Sequence, residues 1–478
     1  VSGRWAIEGL AMIRILAIIF FTCGIASAKD FNIQDFGGVG DGKTINTNAF
    51  HAVIQACAAT GGRVVIPQGT FLTGPIQLMS NVDLHVDKGA LVLFSKRFED
   101  YPLAVVNYEG KQAVECRSPI WGDGLENVSI TGPGTFDAQG DCWRVVKKNK
   151  VSAEHWKELI QSGGVVNEGG SEWYPSAAAK DGQADLKKLR ESDRALDVSQ
   201  YPKFRELLRP SLMLMSNCRH LILDGPTFKN SPNWNLHLLL CDDVTVQNIT
   251  IFNPAYAQNG DGIDIDSCRN VVLKDSNINA GDDGICLKSG RDEEGRKRGR
   301  PTENVTIDHC TVGHAHGGFV IGSEMSGGVR NITVTNCTFT GTDNGLRFKS
   351  TRGRGGTVEN IKVSNITMNG IQDDAITFDM YYMVKAKAAA TSQPIDDGTP
   401  VFKHFQISDI TCKGAKKAIL IRGLPEMPIE DISLSNVQIS ADQGVSLIDA
   451  KKITFNNVHV DCKTDPMETK NVQGFKTH

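Results

Sequence analysis

The chain has 478 residues, with 51 Lys and Arg against 55 Asp and Glu, and a formal net charge of −4 at pH 7. Apolar residues make up 40% and charged residues 22%, which allows a sizeable core and excludes a wholly disordered chain. The mild acidity argues against a general nucleic-acid binder, which carries a strongly basic face.

Arg14 precedes a short apolar run, residues 15–25, that leads into Ala26-Ser27-Ala28. A basic start, an apolar core and a small-x-small site predict a secretory signal peptide over residues 1–28, hence a secreted or periplasmic protein. The run is shorter than a bilayer span and no later stretch is longer, so no membrane partner is expected. Residues 29–478 then remain as one domain. Within Thr47–Ala59, residues Phe50, Val53, Ile54, Cys57 and Ala58 share one helical face. This pattern predicts an N-terminal helix that caps whatever follows.

From Asn81 onward a short phrase returns, Asn or Asp followed by alternating β-branched and apolar residues. It reads Asn81-Val-Asp-Leu84, Asn127-Val-Ser-Ile130, Asp243-Val-Thr-Val246 and Asn270-Val-Val-Leu273, and it begins again at Asn304, Asn331, Asn360, Asp431 and Lys452. From Asp243 the copies are offset by 27, 34, 27 and 29 residues. Period-2 alternation marks short strands, and self-similarity at this spacing marks a solenoid. Without sustained helical periodicity between the copies, the fold class is all-β, a parallel β-helix whose coils are strands joined by turns. Glycine is abundant at 48 residues, about a tenth of the chain where about 7% is usual. Together with the Asn and Asp of the phrase it supplies the positive φ angles that such turns need. Several of these Asn residues, among them Asn304 and Asn331, also match the glycosylation sequon; we read them as turn and strand chemistry, and the sequence leaves glycosylation open.

Residues 143–210 interrupt the repeat, are richer in Lys, Glu and Ala, and carry Trp156, Trp173 and Tyr174. They are predicted to form a partly helical insertion. Cys218, Cys241, Cys268, Cys286, Cys310 and Cys337 recur every 18 to 27 residues without a CxxC pair. This spacing suggests a stack of small buried side chains rather than a metal site.

The densest chemistry lies in Asn259-Gly-Asp261-Gly-Ile-Asp264 and Gly281-Asp282-Asp283-Gly284. Asp261 and Asp282 are 21 residues apart, about one coil, and neighbouring coils lie about 4.8 Å apart. A lone Asp-Gly is usually only a turn. Carboxylates crowded on adjacent coils have their pKa values driven apart, which leaves one as acid and another as base, the division that glycoside hydrolysis needs. His314 and His316 alternate onto one face, as do Arg347 and Lys349. The histidines are not read as a metal pair, because the acids beside them already have a role. The basic pair is read as a carboxylate clamp, since residues 285–354 hold 11 Lys and Arg against 7 Asp and Glu.

In order and spacing, Asn259-Gly-Asp261-Gly-Ile-Asp264, Gly281-Asp282-Asp283, His316-Gly317, Arg347-Phe-Lys349 and Tyr382 resemble the motif series of glycoside hydrolase family 28, the polygalacturonases. The resemblance takes in most of residues 29–478, including Gly38-Val-Gly-Asp-Gly-Lys-Thr44. It implies a right-handed parallel β-helix that hydrolyses α-1,4-galacturonosyl bonds of pectin with inversion, without metal or organic cofactor. A pectic polysaccharide or oligogalacturonide is then the expected partner, and the protein is expected to be a monomer. Carried over residue by residue, Asp282 is the general acid, Asp261 and Asp283 activate water, and His316 holds the acid's hydrogen bonds. Asn259, Arg347, Lys349 and Tyr382 bind substrate, with Tyr381 as the competitor for the tyrosine role. Gly260 stands where many members have Thr, and a charged segment, Arg291–Pro301, separates the acid pair from His316. The stretch His316–Glu324 resembles exo-acting members, so exo action is expected. The alternatives are a rhamnogalacturonan-active hydrolase of the same family, a pectate lyase, or a non-catalytic pectin-binding β-helix.

Overall fold

The repeat phrase folds as rung upon rung of parallel strand. In the computed structural model, which describes residues 29–384 and 391–478, Val128 pairs with Leu221, then Val244, Val271 and Val305. The register continues through Ile332, Ile361, Phe405 and Ile432. The predicted signal segment, residues 1–28, lies outside the described residues. A second ladder runs Phe136, Phe228, Ile251, Ile278 and Val312. A third runs Ile120, Met213, Leu236, Ile263, Ile285, Phe319, Leu346, Ile376 and Ile419. All of these pairings are parallel, and the chain winds as a right-handed parallel β-helix. The residues just named point inward and are almost wholly shielded from water. The core is therefore a column of stacked aliphatic and aromatic side chains, with Phe348 and Phe378 stacked at 4.4 Å.

The corners explain the Asn of the phrase. Asn270, Asn304, Asn331 and Asn360 have φ of 56°, 57°, 58° and 57°, a left-handed conformation that Asn tolerates better than most residues. Each amide also donates to its counterpart one coil back: Asn304 to Asn270 at 3.1 Å, Asn331 to Asn304 at 3.2 Å and Asn360 to Asn331 at 3.4 Å. Sequon asparagines thus serve the ladder. The cysteines form two stacks rather than one. The Cys241 amide donates to Cys268 Sγ at 3.3 Å, Cys218 lies a coil before, and Cys310 and Cys337 occupy a different corner. Cys286 belongs to neither stack. It pairs in register with Asp264 and Val320 on the third ladder.

Helix α1 (Thr47–Ala58) turns Phe50, Val53, Ile54 and Cys57 onto the first coil, as its periodicity predicts. Between Asp137 and Met213 the chain leaves the coils. This excursion contains α2 (Ala153–Gln161), α3 (Ala177–Ser192) and a small antiparallel sheet that pairs Val146 and Val166 with Trp173. Trp156 and Trp173 are buried within it around Val146. A second excursion, absent from the sequence reading, is the antiparallel hairpin Leu103–Tyr108/Lys111–Cys116. Its Val114 and Cys116 pack with Trp143, Leu186 and Phe204, so the two excursions share a small core of their own.

The hairpin tip docks on α4 (Asp292–Arg298), in the charged segment. Lys111 Nζ lies 2.9 Å from Asp292, the Gln112 amide donates to Glu294 at 3.2 Å, and Arg291 Nη1 lies 3.5 Å from Glu109. Gly110 sits at the contact with φ +82°, and a Cβ there would stand 2.9 Å from Arg291 Cβ. Only glycine satisfies both the turn and the approach. Among the described residues no helix is long and apolar enough to cross a membrane.

Candidate active site

The outward side of the third ladder forms the floor of a groove, and the predicted residues gather along it. The Gly262 amide donates to the Asp283 carbonyl at 2.8 Å, and Ile263 pairs with Ile285. Asp261 therefore lies against Asp283 of the next coil, one residue on from the Asp282 that sequence spacing suggests. A Cβ on Gly262 would stand 2.5 Å from the Gly284 carbonyl oxygen, so these Asp-Gly turns let adjacent coils close up. Asp282 is tied to the third coil twice. Its carbonyl accepts the His316 amide at 2.7 Å, and its Oδ1 lies 2.9 Å from His316 Nδ1. His314 bonds instead to the Ala280 carbonyl at 2.8 Å, so the two histidines do not act as a pair.

Arg347 and Lys349 bracket Asp283, donating to its two oxygens at 3.1 and 2.6 Å. The basic pair is thus engaged by a carboxylate of the chain itself. Tyr382 stands over both cations, its ring centre 4.8 Å from Lys349 Nζ and 5.7 Å from the Arg347 guanidinium. Tyr381 is buried, between Arg352 at 5.5 Å and Arg422 at 5.3 Å. Tyr382 is therefore the tyrosine of the groove. Asn259 lines the same cavity, its Oδ1 accepting from Arg209 at 3.0 Å.

Sequence reasoning missed four groups. Lys288, 3% exposed, places Nζ 3.7 Å from Asp261, 3.4 Å from Asp264 and 3.2 Å from Glu324. Its ammonium lies 4.4 Å from the Trp234 ring. Asp343 and Lys150 approach His316 Nε2 to 3.7 and 3.5 Å, and Lys150 brings the insertion to the site. The one available signal was Lys288 itself, a lysine that directly follows the apolar run Ile285-Cys286-Leu287.

Burial and neighbouring charge divide these carboxyls. Asp261 is pushed well above the usual carboxylate range by burial, reinforced by the charges of Asp264 and Asp282. Burial likewise takes Asp264 to about 8, against the pull of Lys288. Asp282 and Asp283 go the other way. Burial would raise both, but the His316 hydrogen bond and charge hold Asp282 low, and Lys349 and Arg347 hold Asp283 low. Hydrogen bonding to Asp282 in turn raises the His316 imidazole. Glu324 falls to about 2, because Lys288, Lys349 and Arg354 outweigh its burial. The groove thus holds protonated carboxyls beside ionised ones.

The cavity around Asp261, Asp282 and Asp283 measures about 230 Å³ and shares Lys349 and Tyr382 with a neighbour of about 360 Å³ toward the C-terminal coils. On the N-terminal side Glu109 of the hairpin borders it. Beyond the hairpin, a separate cleft of about 550 Å³ lies against Val105, Trp121 and Leu214 and has no lining residue in common with it. Hairpin and charged-segment residues border both, Glu109 and Arg291 at the acid cluster and Asn107, Gln112, Glu294 and Lys297 at the cleft.

Carboxyls held in different protonation states along one groove are the equipment of acid–base glycoside hydrolysis, and a parallel β-helix carries them here. The chain belongs to the glycosyl hydrolases family 28, whose family model matches residues 145–464, and it is a glycoside hydrolase. Residues 31–91 match a second family, described as rhamnogalacturonase A/epimerase, pectate lyase-like. Among curated relatives, a probable polygalacturonase of Vitis vinifera is 28% identical, over 89% of this chain and 77% of its own length. An endo-polygalacturonase of Pectobacterium carotovorum subsp. carotovorum is 31% identical, over 78% of each chain. Among solved structures, a hyperthermoactive exopolygalacturonase from Thermotoga maritima superposes with a TM-score of 0.76 at 31% identity, covering 91% of this chain and 92% of its own.

Proposed function

We propose that the protein is an exported polygalacturonase, which hydrolyses α-1,4-galacturonosyl linkages of pectin from a chain end with inversion, residues 29–478 forming one catalytic solenoid. The observation that carries this reading is the convergence of Asp261, Asp282 and Asp283 on adjacent coils with Arg347 and Lys349 beside them. Asp282 protonates the leaving oxygen, Asp261 and Asp283 take the proton of the attacking water, and His316 orients Asp282. A substrate uronate that reaches Arg347 and Lys349 competes for the cations that hold Asp283 low and help hold Asp282 low. Both carboxyls then become more basic. The proton that burial keeps on Asp261 in the free site passes to Asp282, so the substrate's own charge arms the acid.

Exo action is supported by the hairpin latched on α4, whose Glu109 stands with Arg291 at the edge of the acid cluster, where it narrows the groove on that side. The similarity to the Thermotoga exopolygalacturonase points the same way. The test is a time course on polygalacturonate, with rhamnogalacturonan oligosaccharides in parallel and products sized. Monomer from the first minutes is expected from polygalacturonate alone. Mixed oligomers mean endo action, unsaturated product absorbing in the ultraviolet means a lyase, and no product means a binding protein.

A further inference from the structure

Lys288 has no role in the scheme above, yet it is buried with three carboxylates within 4.0 Å of its ammonium. Its Nζ sits among three carboxylates from two segments: Asp261 and Asp264 at the start of one strand, and Glu324 in the loop after Gly317–Ile321. Cys286 and Asp283 lie on its own strand, and the Trp234 ring closes the remaining side. Glu324 is shared with Arg354, whose guanidinium lies 3.5 Å away. Among the described residues neither buried Asp264 oxygen accepts a well-aligned hydrogen bond, and Lys288 at 3.4 Å meets Asp264 as a charge. Among the described residues Lys288 is the one cation within 4.0 Å of the Asp261 carboxylate. A single buried ammonium cannot hold three carboxylates ionised at once, so the cluster retains a proton, and the position of the ammonium decides which carboxyl gives it up.

We propose that Lys288 is a positioning residue of the hydrolytic site, a buried counter-charge that lets Asp261 ionise when Asp282 takes up the proton. Glu324 anchors the ammonium from behind, and Asp264 stays neutral beside it. The inference rests on Asp261 acting as a base. It adds that the working pH of this base is set from beneath the groove by a residue with no need to touch substrate. The raised Lys288 pKa, where Cys286 and then Glu324, Asp264 and Asp261 outweigh burial, agrees with a permanently charged ammonium.

The experiment is a pH–rate profile of the full chain on polygalacturonate for wild type, Lys288→Met, Lys288→Arg and Glu324→Gln. Lys288→Met is expected to lower kcat about 100-fold with KM changed less than about threefold. Its acidic limb should move up by about one pH unit or more, because Asp261 loses its cation. Lys288→Arg should recover most of the rate and the wild-type limb. Glu324→Gln should move the limb the opposite way, to lower pH, since one negative charge leaves the cluster. A folded Lys288→Met enzyme with an unmoved limb overturns the proposal. Should that variant not fold, an unmoved limb in Glu324→Gln does so. Failure of the hydrolase reading is separate, since the wild type would then release no sugar.

Discussion

At the scale of single residues, the acid cluster depends on what each carboxyl touches. Asp282→Asn keeps the His316 contact in shape but supplies no proton, so kcat on polygalacturonate should fall about a thousandfold with the circular dichroism unchanged. Near-normal turnover would remove Asp282 from the mechanism. The same variant has a second readout. The hydrogen bond to Asp282 is the leading reason the His316 imidazole titrates high, so its pKa, followed by NMR, should drop when that carboxylate is gone. The clamp has a substrate readout: Arg347→Ala should cost more on polygalacturonate than on its methyl ester, because only the acid offers a partner to the guanidinium. Asp261, Asp282, Asp283, His316, Arg347 and Lys349 were legible because each lies in a short motif. Lys288, Glu324 and Lys150 were not, since their meaning lies in partners one coil or one insertion away. Tyr382 could be separated from Tyr381 only by burial, which a tyrosine pair in sequence does not reveal.

At the scale of elements, the hairpin at residues 103–116 is the piece the sequence hid. Its strands carry no copy of the repeat phrase, and its role comes from docking rather than from composition. Gly110→Val forces a β-branched side chain onto a left-handed turn and into Arg291. The latch should loosen, and early products on polygalacturonate should shift from monomer toward mixed oligomers; an unchanged product ladder would separate the hairpin from chain-end selectivity. The hairpin is held at its base by Glu115, buried against Arg190 of α3. Burial takes this carboxyl from its usual 4.5 to about 8 despite Arg190. A carboxyl whose folded-state pKa is raised makes folding take up a proton. Its contribution is whole below about pH 4.5 and is lost as pH rises through about 8. The melting temperature should therefore fall across that window, and Glu115→Gln should fall less steeply. Parallel slopes for the two proteins would exclude Glu115 as the source.

At the scale of the molecule, the solenoid was readable because each coil repeats its alternation and its Asn corner. Charge was not readable in the same way. The segment 285–354 counts 11 basic residues against 7 acidic ones, which suggests an attractive field for an acidic polymer. In the fold, Arg298 pairs with Asp266, Arg300 with Asp242, Arg330 with Glu303, Arg352 with Glu426 and Arg354 with Asp292. Several of these acids lie outside the counted segment, because neighbours in a β-helix are coils, not sequence. The excess is therefore largely neutralised over a few ångströms, and little of it projects beyond a Debye length of about 10 Å at 0.1 M salt. Arg347 and Lys349 act at contact, in a partly shielded groove where salt screens less. Raising NaCl from about 20 to about 200 mM should then lower kcat/KM on polygalacturonate by less than about tenfold, mostly through KM. Arg347→Ala should flatten even that response. A steep fall, steeper still on longer chains, would instead mean that the whole surface steers the polymer to the site.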